Sequence, residues 1–273
     1  MRILIVTQYF WPENFRVNDL SLFLNNLKNF DVTILTGEPN YPKGKIYKEF
    51  KKNKKKFLKY KNIKIIRVPI IPRGNNYFTL SLNYLSFIIS CIIFGFKRLE
   101  NKKFEKVFFL ELRQFFRPYQ QFYIQKKKKI PLAIWLLDLW PQTLYQFKFF
   151  KFFLIKQIIT YIVSKILNSF DIIFTQSPLF KAKINNLLKK KKKIIYLPAW
   201  YETIYLRKKI SINKRKVKRI VFAGNLGEAQ NLKKLIIKLQ KLRSKIPIKF
   251  FFIGNGRSKK WIKNYVTKNN LTK

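Results

Sequence analysis

A strand that runs straight into a glycine turn and then a helix leaves a chain few folds to adopt, and this chain does it twice near its C-terminal end. In residues 221–230, VFAGNLGEAQ, the apolar run Ile220, Val221, Phe222, Ala223 meets Gly224. Asn225, Leu226 and Gly227 make the turn, and Glu228 is expected to open a helix. That helix carries Leu232, Leu235, Ile236, Leu239 and Leu242 on one face at the i, i+3, i+4, i+7 spacing. The device recurs at strand 248–253, followed by Gly254, Asn255, Gly256 and Arg257. Glycines let the backbone approach a ligand closely, and the free N–H groups and dipole of a helix start favour an anion. Either turn alone is equally an ordinary β-α connection. Two on neighbouring parallel strands point to a phosphate-bearing ligand.

The rest of the chain reads as α/β. Residues 3–7 and 31–36 are expected strands, with a helix between them that turns Val17, Leu20, Leu24 and Leu27 inward. Further strands are expected at 63–68, 106–110, 130–137, 171–176 and 194–197. A helix is expected to start in 115–123 and end in the basic run 126–129, others are expected at 154–167 and 259–268, and one is expected to start at Ser177-Pro178 as N-cap and first turn. The loops QYFWPEN (8–14) and GEPNYPKG (37–44) both leave the C-terminal ends of strands, where open α/β sheets bind ligands. The Lys-dense stretch 51–61 reads as a solvated loop. Residues 138–142, DLWPQ, put a carboxylate, an aromatic and a proline at a strand exit. Asp138 is there either a site residue or the cap of the next helix. Residues 198–218 lose all periodicity. The division is therefore 1–198, a linker at 199–217, and a smaller domain at 218–273 with two strands and two helices.

Residues 77–96 carry no charge and meet the length criterion for a membrane span, but polar residues dilute them. They read as a helix buried in the domain or dipping into a membrane face, with a true span as the alternative. The N-terminal apolar run is too short for a signal peptide, so a cytoplasmic protein is expected.

Composition removes several chemistries. There is one cysteine, Cys91, and no histidine, so a disulfide framework, a cysteine cluster, a histidine-ligated zinc and a histidine base are all excluded. The net charge is +47, yet 47 of the 59 basic residues are Lys and 12 are Arg. Arg is the residue that reads bases bidentately. Lys travelling with Asn, Ile and Phe reads as a bias toward A/T-rich codons, so no specific nucleic acid is expected. The charge still favours anionic membranes and polyanions.

Several stretches, in order and collinear, resemble a known family. They are QYFWPENFRVNDL (8–20), LTGEPNYPKGKIY (35–47), VPIIPRG (68–74), LNYLSF (82–87), DLWPQ, DIIFTQS (171–177), YLPAW (196–200) and FAGNLGEAQN (222–231). Together they look like a bacterial family 4 glycosyltransferase of the L-fucosamine transferase-like branch. The resemblance implies two facing Rossmann-like domains of GT-B type and retaining, metal-free transfer without a cofactor. The donor would be a nucleotide-sugar and the acceptor a lipid-linked saccharide, in O-antigen or capsule synthesis at the inner membrane leaflet. By motif, Asp138 would be catalytic in the cleft. Glu13, Asn14 and Arg16 would line the acceptor-side loop. Gly224, Asn225, Gly227, Glu228, Gln230, Gly254, Gly256 and Arg257 would hold the diphosphate, with Arg257 as its cation.

The chain departs from the family in three places. Leu137 and Gln142 stand where the family has a polar residue and Glu, and family members continue past the end of this sequence. The second domain is therefore expected to be incomplete, activity alone to be weak, and a separately encoded C-terminal fragment to be a partner. The rival expectation is a non-catalytic basic α/β protein held on a membrane surface or polyanion.

Overall fold

Runs of aliphatic residues covered on both faces favour parallel strands, and the protein builds its core from them. The computed structural model describes residues 1–74, 77–95, 97–99, 103–110, 130–139, 141–142, 152–200, 217–227, 230–242 and 247–271. The chain divides into two compact units, Met1–Tyr201 and Glu202–Lys273.

In the first unit the strands are β1 (Arg2–Val6), β2 (Asp31–Gly37), β3 (Lys59–Tyr60), β4 (Ile63–Val68), β5 (Lys106–Leu110), β6 (Leu132–Leu136), β7 (Ile172–Thr175) and β8 (Lys193–Tyr196). They form one sheet in the order β3-β4-β2-β1-β5-β6-β7-β8. Every pairing is parallel except the short edge strand β3 against β4. The chain winds from β1 outward to β4, then returns to β5 on the other side of β1. The loop after β1 therefore lies at the switch point where such sheets bind ligands.

Helices cover both faces. Helix α1 (Arg16–Asn26) packs with β1, β2 and β4 around Ile5, Phe10, Val17, Ile34 and Trp135. On the other face, α3 (Tyr77–Ser90) contributes Phe87, and α4 (Phe153–Asn168) contributes Ile159, Val163, Ile166 and Leu167. Ile184 of α5 (Phe180–Asn185) joins the same cluster. A π-helical turn, Cys91–Gly95, continues α3, and Gly95 lies so close to the sheet that a Cβ would sit 3.1 Å from Leu35.

Three expectations are corrected in this unit. The lysine-rich stretch is not a plain solvated loop: it holds α2 (Lys48–Lys52), a 3-10 turn (Lys55–Leu58) and β3. Phe50 and Phe57 are buried there, and their rings anchor a segment whose lysines stay exposed. Of the expected inward stripe of α1, Val17 is buried and Leu24 packs half-buried on the core, but Leu27 is exposed, and Asn18 and Ser21 share the buried side. Helix α5 starts at Phe180, because Ser177 and Pro178 form a preceding turn whose carbonyls accept the N–H groups of Phe180 and Lys181. The expected helix at 115–123 lies outside the described residues.

The second unit pairs β9 (Lys218–Ala223) and β10 (Ile248–Ile253) in parallel, Phe222 opposite Phe252. Helices α6 (Leu232–Gln240) and α7 (Lys259–Lys268) cover one side, with Leu226, Leu232, Ile236 and Ile262 buried between them. Helix α6 starts at Leu232, after Asn231 in a left-handed conformation (φ 52°), rather than at Glu228. Its apolar face is only partly used: Leu235 is exposed, and Leu242, expected on the same face, lies exposed beyond the end of the helix.

Candidate functional site

Two clusters stand at strand exits, one in each unit. The first joins the loops after β1 and β2. Pro12 and Pro42 follow cis peptide bonds in these two loops. Between them lies Glu13, which is 2% exposed. Its Oε1 accepts the backbone N–H groups of Asn40 at 2.8 Å and Tyr41 at 2.7 Å, and its Oε2 accepts that of Phe10 at 3.3 Å. Burial pushes the Glu13 pKa up to about 7, against the opposing pull of those N–H groups and of Arg67. A buried carboxylate loses hydration that three amide dipoles only partly replace.

Arg67, also buried, reaches across from β4. Its Nε donates to the Phe57 carbonyl at 3.1 Å, Nη1 to Gly37 at 2.8 Å, and Nη2 to Trp11. Burial lowers its pKa to about 10, with Glu13 and Glu38 opposing the fall. The fork of the guanidinium thus satisfies carbonyls in three separate segments. Asn18 does the same for the first loop: it donates to the Glu13 carbonyl at 2.8 Å and accepts the Trp11 N–H at 3.1 Å. Asn83, fully buried on α3, accepts from Gln8 Nε2 at 2.7 Å and from the Tyr9 hydroxyl at 3.0 Å.

This network supports a half-buried aromatic shelf. Tyr9 stacks on Phe15 with centroids 5.2 Å apart, and Phe15 lies 5.1 Å from Tyr41. The Arg73 guanidinium sits 5.2 Å over the Tyr41 ring, while its backbone N–H donates to Asn40 Oδ1 at 2.9 Å. Of the acceptor-side residues read from the sequence, Asn14 is exposed at the rim. Arg16 is half-buried, 3.9 Å from Asp19. Glu13 itself faces backbone amides. The sequence reading missed Asn18, Asn40, Arg67 and Asn83.

Asp138 is half-buried two residues past β6. Its surroundings are fixed from two sides. Gln176 Nε2 donates to the Leu137 carbonyl, and the Trp135 indole donates to the Leu197 carbonyl at 3.1 Å. Trp200 stacks on Trp135 at 5.2 Å, so the YLPAW segment is held on β6. The Gln142 Oε1 is buried with no hydrogen-bond partner among the described residues. The helix that Asp138 was expected to cap lies outside the described residues.

The second cluster knits the two glycine turns together. Leu226 N–H donates to the Asn255 carbonyl at 2.8 Å, and the Leu226 carbonyl accepts the Ser258 N–H at 2.9 Å. Gly254 has φ +151°, and a Cβ there would lie 1.8 Å from the Gly224 carbonyl oxygen. A Cβ at Gly256 would lie 2.5 Å from the Leu226 backbone, and one at Gly227 2.8 Å from Asn225 Nδ2. The backbone contacts explain Gly254 and Gly256 by packing alone, whereas the neighbours of Gly227 are side-chain ends that can move aside. Gly224 is different: its φ is +155°, but a Cβ would meet only the Phe222 ring at 4.0 Å. The space beside Gly224 is open. Arg257 is exposed beside this turn pair, one residue before the Ser258 cap of α7. Gln230 is exposed just before α6, with its Oε1 in reach of Gly227; Glu228 lies outside the described residues.

No protein-family model matches the chain, and no curated protein matches it. Its fold is shared with solved structures. Sucrose-phosphate synthase from Thermosynechococcus elongatus superposes with a TM-score of 0.61 at 12% identity, over 99% of this chain and 68% of that one. The lipopolysaccharide outer core galactosyltransferase WaaB in its apo form gives 0.55 at 14% identity, over 99% and 66%. The E. coli trehalose-6-phosphate protein bound with UDP-2-fluoro glucose gives 0.57 at 10% identity, over 98% and 69%. The chain thus spans about two thirds of the length of these proteins, and its α/β units have the Rossmann-like fold of GT-B glycosyltransferases.

Proposed function

We propose that the protein transfers a glycosyl group, with retention and without a metal, from a nucleotide-sugar to a lipid-linked saccharide acceptor. Family 4 and its fucosamine-transferring branch, with a role in O-antigen or capsule synthesis, are the reading that the sequence resemblance supports. The observation that carries the proposal is the open space beside Gly224 within a rigid pair of glycine turns. Amide groups and a nearby cation in such a turn stabilise the negative charge that grows on a departing diphosphate. Gly224, Asn225, Gly227, Gln230, Gly254 and Gly256 shape that turn pair, Glu228 follows in its sequence, and Arg257 supplies the charge. One structural neighbour is bound with UDP-2-fluoro glucose, which agrees with a donor of this class.

In the first unit, the shelf of Tyr9, Phe15 and Tyr41 offers flat apolar faces to a sugar ring, with Asn14, Arg16 and Arg73 at hand for its hydroxyls. Glu13 is a positioning residue for that shelf. Asp138, at the exit of β6, is the candidate catalytic carboxylate. Because the acceptor is lipid-linked, the protein works at the inner membrane leaflet from the cytoplasmic side.

The test is a thermal-shift screen of the purified chain against UDP, GDP and UDP-N-acetylhexosamines. A ligand at 100 times its dissociation constant stabilises the folded state by about 2.7 kcal/mol, a shift of several degrees. A shift with one nucleotide supports the proposal. Cooperative melting with no shift from any of them overturns it.

A further inference from the structure

The first unit leaves apolar side chains in solvent along two helices on one side of its sheet. Both α3 and α4 feed the same core cluster, so both cover the same face. The outward residues of α3 and its continuation are Phe78, 71% exposed, with Ile89, Ile93 and Phe94. Those of α4 are Phe153 and Leu154, about 70% exposed each, with Ile158 and Tyr161. Leu154, Ile158 and Tyr161 fall at i, i+4, i+7, a true outer stripe. A helix that packs one side on a core ordinarily turns polar residues outward, so apolar side chains left on the outer side mark an interaction surface.

The chain supplies its own control. Helices α6 and α7 of the second unit, also on a surface, carry three lysines in nine residues and four in ten. Helix α3 has no charged residue in fourteen, and α4 has two lysines in sixteen. In a chain with 59 basic residues, an uncharged outer stripe marks a surface that does not face water. The cations are at its borders. Lys97 and Arg98 follow α3, and Lys165 places its ammonium 4.8 Å over the Tyr161 ring. Lys189, whose backbone N–H donates to Asn168 Oδ1 at 2.8 Å at the C-terminal end of α4, is exposed with Lys190 and Lys191, and residues 139–201 hold a single acid, Asp171. The Asp171 carboxylate is engaged by the Leu132 N–H at 2.7 Å. A groove of about 480 Å³ beside α4 is mixed in character, with Phe153, Tyr161 and Leu187 beside the polar Lys156, Gln157 and Thr160.

We infer that the outer face of α3 and α4 is a docking surface for an anionic bilayer, with the apolar stripes inserted at the interface and the bordering cations on lipid phosphates. Charge complementarity selects this partner. A second copy of the chain would bring the same positive border against itself, whereas an anionic leaflet attracts each Lys near its surface. The segment Phe78–Gly95 is apolar and long enough to cross a membrane, with a mean hydropathy of 1.8. Its packing of Phe87, Cys91 and Gly95 onto the sheet makes it an interfacial helix instead. The inference specifies where the proposed membrane contact lies, but it does not depend on sugar transfer. Vesicle binding and nucleotide binding are read separately, so either can fail alone.

The test is co-sedimentation of the full chain with phosphatidylglycerol-rich vesicles and with phosphatidylcholine vesicles, at low and at high salt. The wild type binds the anionic vesicles and keeps a salt-resistant fraction. The variants Leu154→Ser with Ile158→Ser, and Ile89→Ser with Ile93→Ser, alter exposed positions, and their melting temperature checks that the fold persists. Each removed apolar side chain is expected to weaken salt-resistant partition by roughly tenfold. Vesicle binding equal to wild type means that the lysines alone hold the membrane, and it overturns the inference. So does a wild type that binds neither vesicle, one that resists alkaline carbonate extraction as a spanning protein does, or one whose variants turn a solution dimer into a monomer without changing vesicle binding.

Discussion

Glu13 and Asn40 are joined by a 2.8 Å hydrogen bond from the Asn40 backbone N–H to the carboxylate, with both residues buried at the exits of adjacent strands. Through this bond and the one from Tyr41, a single side chain fixes the loop after β2 against the loop after β1. Glu13→Ala leaves the N–H groups of Phe10, Asn40 and Tyr41 without their acceptor. Each buried orphan costs on the order of 1–3 kcal/mol, so a total loss of about 3 kcal/mol or more is expected. Glu13→Gln keeps one oxygen for Asn40 and Tyr41 and is expected to cost about 1 kcal/mol. Urea unfolding of the two variants checks the order; equal losses would remove the carboxylate from this role.

The same residue sets a pH dependence. Burial raises the Glu13 pKa from 4.5 to about 7. Between those values the folded protein holds a proton that the unfolded chain has released. Stability from this group is therefore fully present below about pH 4.5 and is lost as pH rises to about 7, by an amount on the order of 3 kcal/mol. Thermal unfolding at about pH 5 and about pH 8 should show the wild type losing more stability over that interval than Glu13→Gln. Parallel curves would mean that Glu13 stays ionised in the fold throughout.

Strand positions were legible in the sequence where apolar residues run together, as in the unbroken aliphatic run 3–6, and burial on both faces demands that composition. The glycine turns were legible because only glycine tolerates what Gly254 meets, a carbonyl oxygen where a Cβ would be. The buried polar network was not. Asn83 and Gln8 are 75 residues apart, and Arg67 bonds to carbonyls 10, 30 and 56 residues away. Periodicity carries no information about such partners, so Asn83 reads as one of the polar residues that dilute 77–96 and Arg67 as part of strand 63–68. The start of α6 was misread for a local reason. Asn231 takes a left-handed conformation that stops the helix from extending back toward Glu228.

The stacking of Trp200 on Trp135 makes the end of the first unit dependent on β6. Trp200→Ala removes an aromatic pair worth roughly 0.5–1.5 kcal/mol beyond its buried area. The larger consequence is expected at Leu197, whose carbonyl accepts the Trp135 indole. Hydrogen exchange at the Leu197 N–H, which donates to the Thr175 carbonyl at 2.8 Å, should speed up in Trp200→Ala. Unchanged exchange there would show that β8 holds this segment without the stack.

Gly224 and Gly254 are adjacent in the fold, and alanine should separate what each is for. At Gly254 a Cβ collides with the Gly224 carbonyl oxygen at 1.8 Å, a backbone atom that no rotamer change can move aside. Gly254→Ala must part the two turns and break the pairing around Leu226 and Asn255, so the second unit is expected to lose several kcal/mol or fail to fold. At Gly224 the Cβ meets open space, and the cost is confined to its φ of +155°, on the order of 1–3 kcal/mol. If the open space is where a diphosphate approaches the backbone, Gly224→Ala leaves a folded protein whose nucleotide-dependent thermal shift is gone. A folded Gly224→Ala protein that still shows the full shift would place the donor elsewhere, and the turn pair would then be packing without a ligand.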